Sequence, residues 1–166
     1  QRVILYLRLP RVAMAVVAGC GLSITGAAMQ GITRNPLVSP FTMGVSNAAA
    51  FGASLSIVFG LGIFPGSQGG VGLTAFFLAL LCAGVVYGIS IRAGMGAEAM
   101  VLTGIAVNYL FSAATSVIQY FADEHLLAAA VAWAFGSLNG AEWGQVRTAA
   151  VAVAACSAGL LLLAPA

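Results

Sequence analysis

Lysine is absent from this 166-residue chain. Its absence excludes a phosphate-binding P-loop, which needs a lysine to reach the terminal phosphates, so the chain has no seat of its own for ATP hydrolysis. Charge of either sign is scarce. Six arginines and four acidic residues leave a net charge of +2 and a charged share of 6%, where a soluble domain carries about 25%. So sparse a charge also rules out a basic nucleic-acid surface. The three cysteines, Cys20, Cys82 and Cys156, have none of the C-x-x-C or Cys/His spacing of a metal or redox centre and read as packing residues. Proton-coupled carriers place ionisable groups at membrane depth despite a cost of about 3 kcal/mol each. The four longest apolar runs here contain none.

What the chain has in abundance is apolar length, with 61% hydrophobic residues. Five stretches, at about 12–32, 44–64, 71–91, 99–121 and 148–165, each approach the ~20 residues a helix needs to cross ~30 Å of hydrocarbon. The expected fold is therefore all-α: a polytopic transmembrane helical bundle forming a single partial domain over 1–166. An odd number of spans, opening in a polar arginine-bearing segment without a secretory leader, leads us to expect a piece of a longer protein. Between the first two spans, Pro36 and Pro40 push the residues before them out of helical geometry, which predicts a sharp, non-helical connection. A shorter apolar run at about 126–136 is flanked by acidic residues, Trp133 and Trp143, and reads as an interfacial or re-entrant helix. His125, beside Asp123 and Glu124, reads as a solvated residue.

Two spans carry polar patterns. In the first, Gly19, Ser23, Gly26 and Gln30 recur at helical spacing and predict a face turned toward other helices. In the fourth, Asn108, Ser112, Thr115, Ser116 and Gln119 share one face, opposite Val, Leu, Phe and Ile. Such a stripe fits either the lining of a watery pathway or hydrogen bonding between helices inside a bundle.

The blocks Leu7-Arg8-Leu9-Pro10-Arg11, Gly26-Ala27-Ala28-Met29-Gln30, Asn35-Pro36-Leu37, Ser39-Pro40 and Gly44-Val45-Ser46-Asn47 follow one another in an order and spacing that resemble a known family. It is that of the permease subunits of bacterial ABC importers for iron-siderophores, haem and vitamin B12, the FecCD-type transport family. Leu102-Thr103-Gly104-Ile105-Ala106 and Trp133-Ala134-Phe135-Gly136-Ser137-Leu138 with Trp143 extend the resemblance over nearly the whole chain.

The resemblance implies a type II ABC importer permease, of which this chain would supply about helices two to six of ten. It would be a multi-pass protein of the bacterial cell (inner) membrane, moving an iron chelate by alternating access, with a ferric siderophore the leading cargo and haem or vitamin B12 the alternatives. The chain would bind no cofactor and catalyse no reaction; ATP and Mg would belong to partner ATPase subunits. The implied partners are a second permease subunit in a homo- or heterodimer, two cytoplasmic ATPases, an extracytoplasmic binding protein and membrane lipid, with no nucleic acid. Arg8 and Arg11 match arginines that receive acidic residues of the docked binding protein, a role suited to a permanently charged, planar fork of donors. Asn35, Pro36 and Leu37 match a cytoplasmic gate, whose second segment corresponds to about Ala97 and Glu98. Vitamin B12 permeases carry small hydroxyl residues there, a departure that counts against that cargo. Asn108, Ser112, Thr115, Ser116 and Gln119 would line the pathway.

Arginine counts point the other way on orientation, with Arg2, Arg8, Arg11 and Arg147 on one side against Arg34 and Arg92 on the other. We follow the resemblance, because two of those four arginines have a proposed reason to lie outside and Asp123, Glu124 and Glu142 share their side. An ion-coupled secondary transporter is the reading from another class, and it would need the ionisable residues these spans lack.

Overall fold

The computed structural model describes residues 3–63, 68–94 and 96–163, and among them every regular element is helical. A π-helical turn, Ile4–Arg8, runs into α1, Leu9–Thr33. There follow α2 (Val45–Phe59), α3 (Gln68–Arg92), α4 (Ala97–Tyr120), α5 (Glu124–Phe135) and α6 (Trp143–Leu163). Four helical segments, Ile4–Thr33, Gly69–Arg92, Ala97–Tyr120 and Trp143–Leu162, are long and apolar enough to cross a membrane. The chain folds as two compact units, one from the described residues of 1–28 and 137–166, the other from those of 29–136.

In the 29–136 unit, α2 is the hub, packing on α3, α4 and α5. Its 15 residues make a helix of about 22 Å at ~1.5 Å per residue, shorter than the ~30 Å of a bilayer core. The apolar stretch 44–64 is thus longer than its helix. Gly60 takes a left-handed conformation, φ 65°, and stops it. Close approach explains the small residues along α2: a Cβ on Gly52 would stand 2.9 Å from the Thr74 carbonyl oxygen and 3.1 Å from Ala75 Cα on α3. Gly44, at φ 79° ahead of α2, sits with equally little room against the backbone of Asn108 on α4. The core around these contacts comprises Val38, Met43, Ala48, Cys82, Val86 and Val107.

In the other unit the helices expose their apolar faces, as Leu22, Val151 and Leu161 do. Of the stripe expected to face other helices, the two glycines are open there: a Cβ on Gly19 or Gly26 would meet nothing within 4 Å among the described residues. Cys20 and Cys156 are likewise exposed, so of the three cysteines only Cys82 packs in a core. His125 is exposed in the first turn of α5.

Candidate functional site

The connection between α1 and α2 is wired by its own side chains. Asn35 Oδ1 accepts the Leu37 N–H at 3.0 Å, an Asx turn that fits the restriction Pro36 imposes. Gln30 Nε2 reaches back from the last turn of α1 to donate to the carbonyls of Pro36 at 3.0 Å and Val38 at 3.4 Å. Thr42 Oγ1 accepts the Ser39 N–H at 2.9 Å, and Ser39 Oγ accepts the Thr42 N–H at 3.3 Å. Arg34, in the left-handed region at φ 47°, is the one non-glycine residue of positive φ among those described.

This turn meets the start of α4. Thr33, Arg34, Asn35 and Pro36 on one side and Ala97, Glu98, Val101 and Leu102 on the other line a cavity of about 570 Å³. The structure therefore brings together four of the five expected gate residues. Leu37 does not line the cavity and is 82% exposed. The cavity also holds one charge of each sign. Arg34 and Glu98 are both exposed, and no ion pair joins them among the described residues. Glu98 lies in the first turn of α4, where the helix dipole favours a carboxylate.

The polar face of α4 divides. Asn108 accepts a hydrogen bond from Asn47 Nδ2 at 2.9 Å, which ties α4 to α2 and puts Asn108 inside the bundle. Thr115 donates to the Phe111 carbonyl at 2.8 Å and Ser116 to the Ser112 carbonyl at 3.1 Å, so these hydroxyls are satisfied within their own helix. Ser112 and Ser116 are exposed, Thr115 and Gln119 half-buried. In the other unit, Arg8 is exposed and its side chain makes no hydrogen bond among the described residues. Arg11 is half-buried and donates through Nη2 to the Asn139 carbonyl at 3.0 Å.

Comparison with known proteins is decisive for the family: the FecCD transport family matches residues 1–166. The chain belongs to the FecCD transport family. It is 44% identical over 152 residues to a protein named as an ABC transporter permease of Methanocaldococcus jannaschii, covering 87% of this chain and 44% of the relative. It is 36% identical over 159 residues to the hemin transport system permease HmuU of Yersinia pestis, covering 95% of this chain and 48% of that one. A solved structure presented as an inward-facing ABC transporter of metal-chelate type superposes with a TM-score of 0.85 at 35% identity, covering 98% of this chain and 51% of that one. The chain spans about half the length of the curated relatives it matches.

This FecCD chain is thus a multi-pass protein of the cell membrane, and its relatives carry the names of transport subunits. Several residues of its candidate site escaped the sequence. Arg34 stands beside the Asn35-Pro36-Leu37 block, but only the fold shows that it shares a cavity with Glu98. Asn47 lies in a family block without any sign that it would reach Asn108, 61 residues away. Trp143 reads as an interfacial anchor, yet its indole N–H donates to the Leu5 carbonyl at 3.0 Å.

Proposed function

We propose that this FecCD chain forms part of the permease subunit of an ABC importer that passes an iron chelate, a ferric siderophore first, across the bacterial cytoplasmic membrane by alternating access. The observation that carries the reading is the cavity at which the 33–36 turn meets the first turns of α4. Such a meeting of a stiff turn with a helix start can close by rigid movement of either side, which suits a cytoplasmic gate. Nothing covalent is required of the chain. The energy would come from ATP and Mg bound by two partner ATPases, and each ligand would shift the permease between states only by its differential affinity for them. A second permease subunit would complete the pathway, and an extracytoplasmic binding protein would dock through Arg8 and Arg11.

Along the pathway, Ser112, Thr115, Ser116 and Gln119 would offer a weakly polar, uncharged wall. Asn108 contributes there by fixing α4 on α2. Haem is the second cargo we weigh, because a relative at 36% identity is named for hemin transport. Vitamin B12 is disfavoured by Ala97 and Glu98. The test is ATP-dependent uptake of radiolabelled ferric siderophore, haem and vitamin B12 into proteoliposomes holding the full-length permease, its ATPase and its binding protein. Uptake of the ferric siderophore alone is expected; uptake of haem alone replaces the cargo, and uptake of none refutes the assignment.

A further inference from the structure

Pro10 leaves a gap in the helix that carries Arg8. In the π-helical turn Ile4–Arg8, Leu9 donates its backbone N–H to the Ile4 carbonyl, five residues back. Continuing that pattern, the donor to the Leu5 carbonyl would be residue 10. Proline has no N–H, so residue 10 cannot be the donor that continues this pattern to the Leu5 carbonyl. The indole of Trp143 supplies one, donating to Leu5 O at 3.0 Å across 138 residues of sequence. Beyond Pro10, Arg11 donates to the Asn139 carbonyl at 3.0 Å. The 139–143 segment is thereby stitched to the opening turns at two points, one on either side of Pro10, whose side chain is fully buried. Arg8, between the two stitches in sequence, keeps its guanidinium exposed and unpaired among the described residues.

We infer that Trp143 and Arg11 are positioning residues of the binding-protein docking surface, and that Arg8 is the arginine they present for direct contact. The inference rests on the proposed docking reading and revises it by dividing the labour of the two arginines. Arg11 spends a donor on the protein's own backbone, whereas the exposed Arg8 guanidinium makes no hydrogen bond among the described residues. The peptide chemistry is specific. An indole is needed at 143 because a carbonyl to which residue 10 cannot donate needs an N–H from elsewhere, and it is needed only because residue 10 is proline.

The experiment compares wild type, Trp143→Phe, Pro10→Ala and the double variant as full-length transporters in proteoliposomes, titrating binding protein loaded with ferric siderophore. Trp143→Phe keeps the ring and loses the donor. It is expected to raise the binding-protein concentration for half-maximal uptake about fivefold, the weight of one hydrogen bond, and to leave the maximal rate within about twofold. In the Pro10→Ala background, where residue 10 regains an N–H, the same change is expected to cost nothing further. An unchanged half-saturation, or an equal cost in both backgrounds, would reduce Trp143 to an interfacial anchor. If Arg8→Glu leaves half-saturation unchanged, or the vesicles accumulate no cargo, the docking reading itself fails. Amide hydrogen exchange at residues 4–9 tests the stitch without cargo: faster exchange in Trp143→Phe only when residue 10 is proline supports it, and unchanged exchange overturns it.

Discussion

The two ends of α1 both meet proline, and they accommodate it in opposite ways. At the C-terminal end, Pro36 and Pro40 sit in a turn whose free backbone groups are satisfied within a few residues, by Gln30, Asn35, Ser39 and Thr42. At the N-terminal end, the carbonyl to which Pro10 has no N–H to donate accepts one from Trp143, far along the chain. A locally wired turn holds its shape whatever its surroundings do, as a part that moves as a unit should. A remotely wired turn holds its shape only while a distant segment is in place. Proline thus makes a stiff piece in one region and a dependent one in the other, and the proposed gate and docking surface differ accordingly.

Reversing charge where the remote wiring presents it should have the largest effect. Arg8→Glu is expected to raise the half-saturating concentration of binding protein about 30-fold, near 2 kcal/mol for a lost charge pair; equal sensitivity of Arg11→Glu and Arg8→Glu would erase the division between them. At the locally wired end, Arg34→Glu or Glu98→Arg places like charges across the cavity. Each should change ATP-driven uptake about fivefold, with the double exchange restoring it, as coupled partners do. A double exchange no better than the worse single change would show that the two charges act separately. Asn35→Ala removes the Asx turn and should destabilise the purified protein by about 1 kcal/mol in chemical unfolding, with no effect on binding-protein titration. Smallest is Asn108→Leu, which should cost about 0.6 kcal/mol in the same assay for one hydrogen bond between membrane helices. Cysteines at Ser112 and Ser116, unlike one at Asn108, should react with a water-borne thiol reagent.

Features set by local chemistry were legible in the sequence. Two prolines within five residues predict the non-helical turn at 34–44, and hydropathy marks the long helices because length and apolarity are additive along the chain. Helix limits were less legible. Arg8 and Arg11 set the start of the apolar run at 12, but a helix continues through charges, and the helical segment here begins at Ile4. Gly60 ends α2 inside an apolar stretch. Partnerships between distant residues were not legible at all. That Asn108 turns to Asn47, that Arg34 shares a cavity with Glu98, and that an indole answers a proline all depend on contacts formed only by the folded chain.

The central claim is that the 33–36 turn and the start of α4 open and close the path of the cargo. It is tested most directly by changing Asn35 and Ala97 to cysteine in the full-length transporter and measuring ATP-driven uptake of ferric siderophore before oxidation, after oxidation and after reduction. A parallel transporter with only the native cysteines serves as control. The account predicts that uptake stops when mass spectrometry shows the two positions joined and resumes when they are reduced. Uptake at the unoxidised rate with the crosslink complete would contradict it.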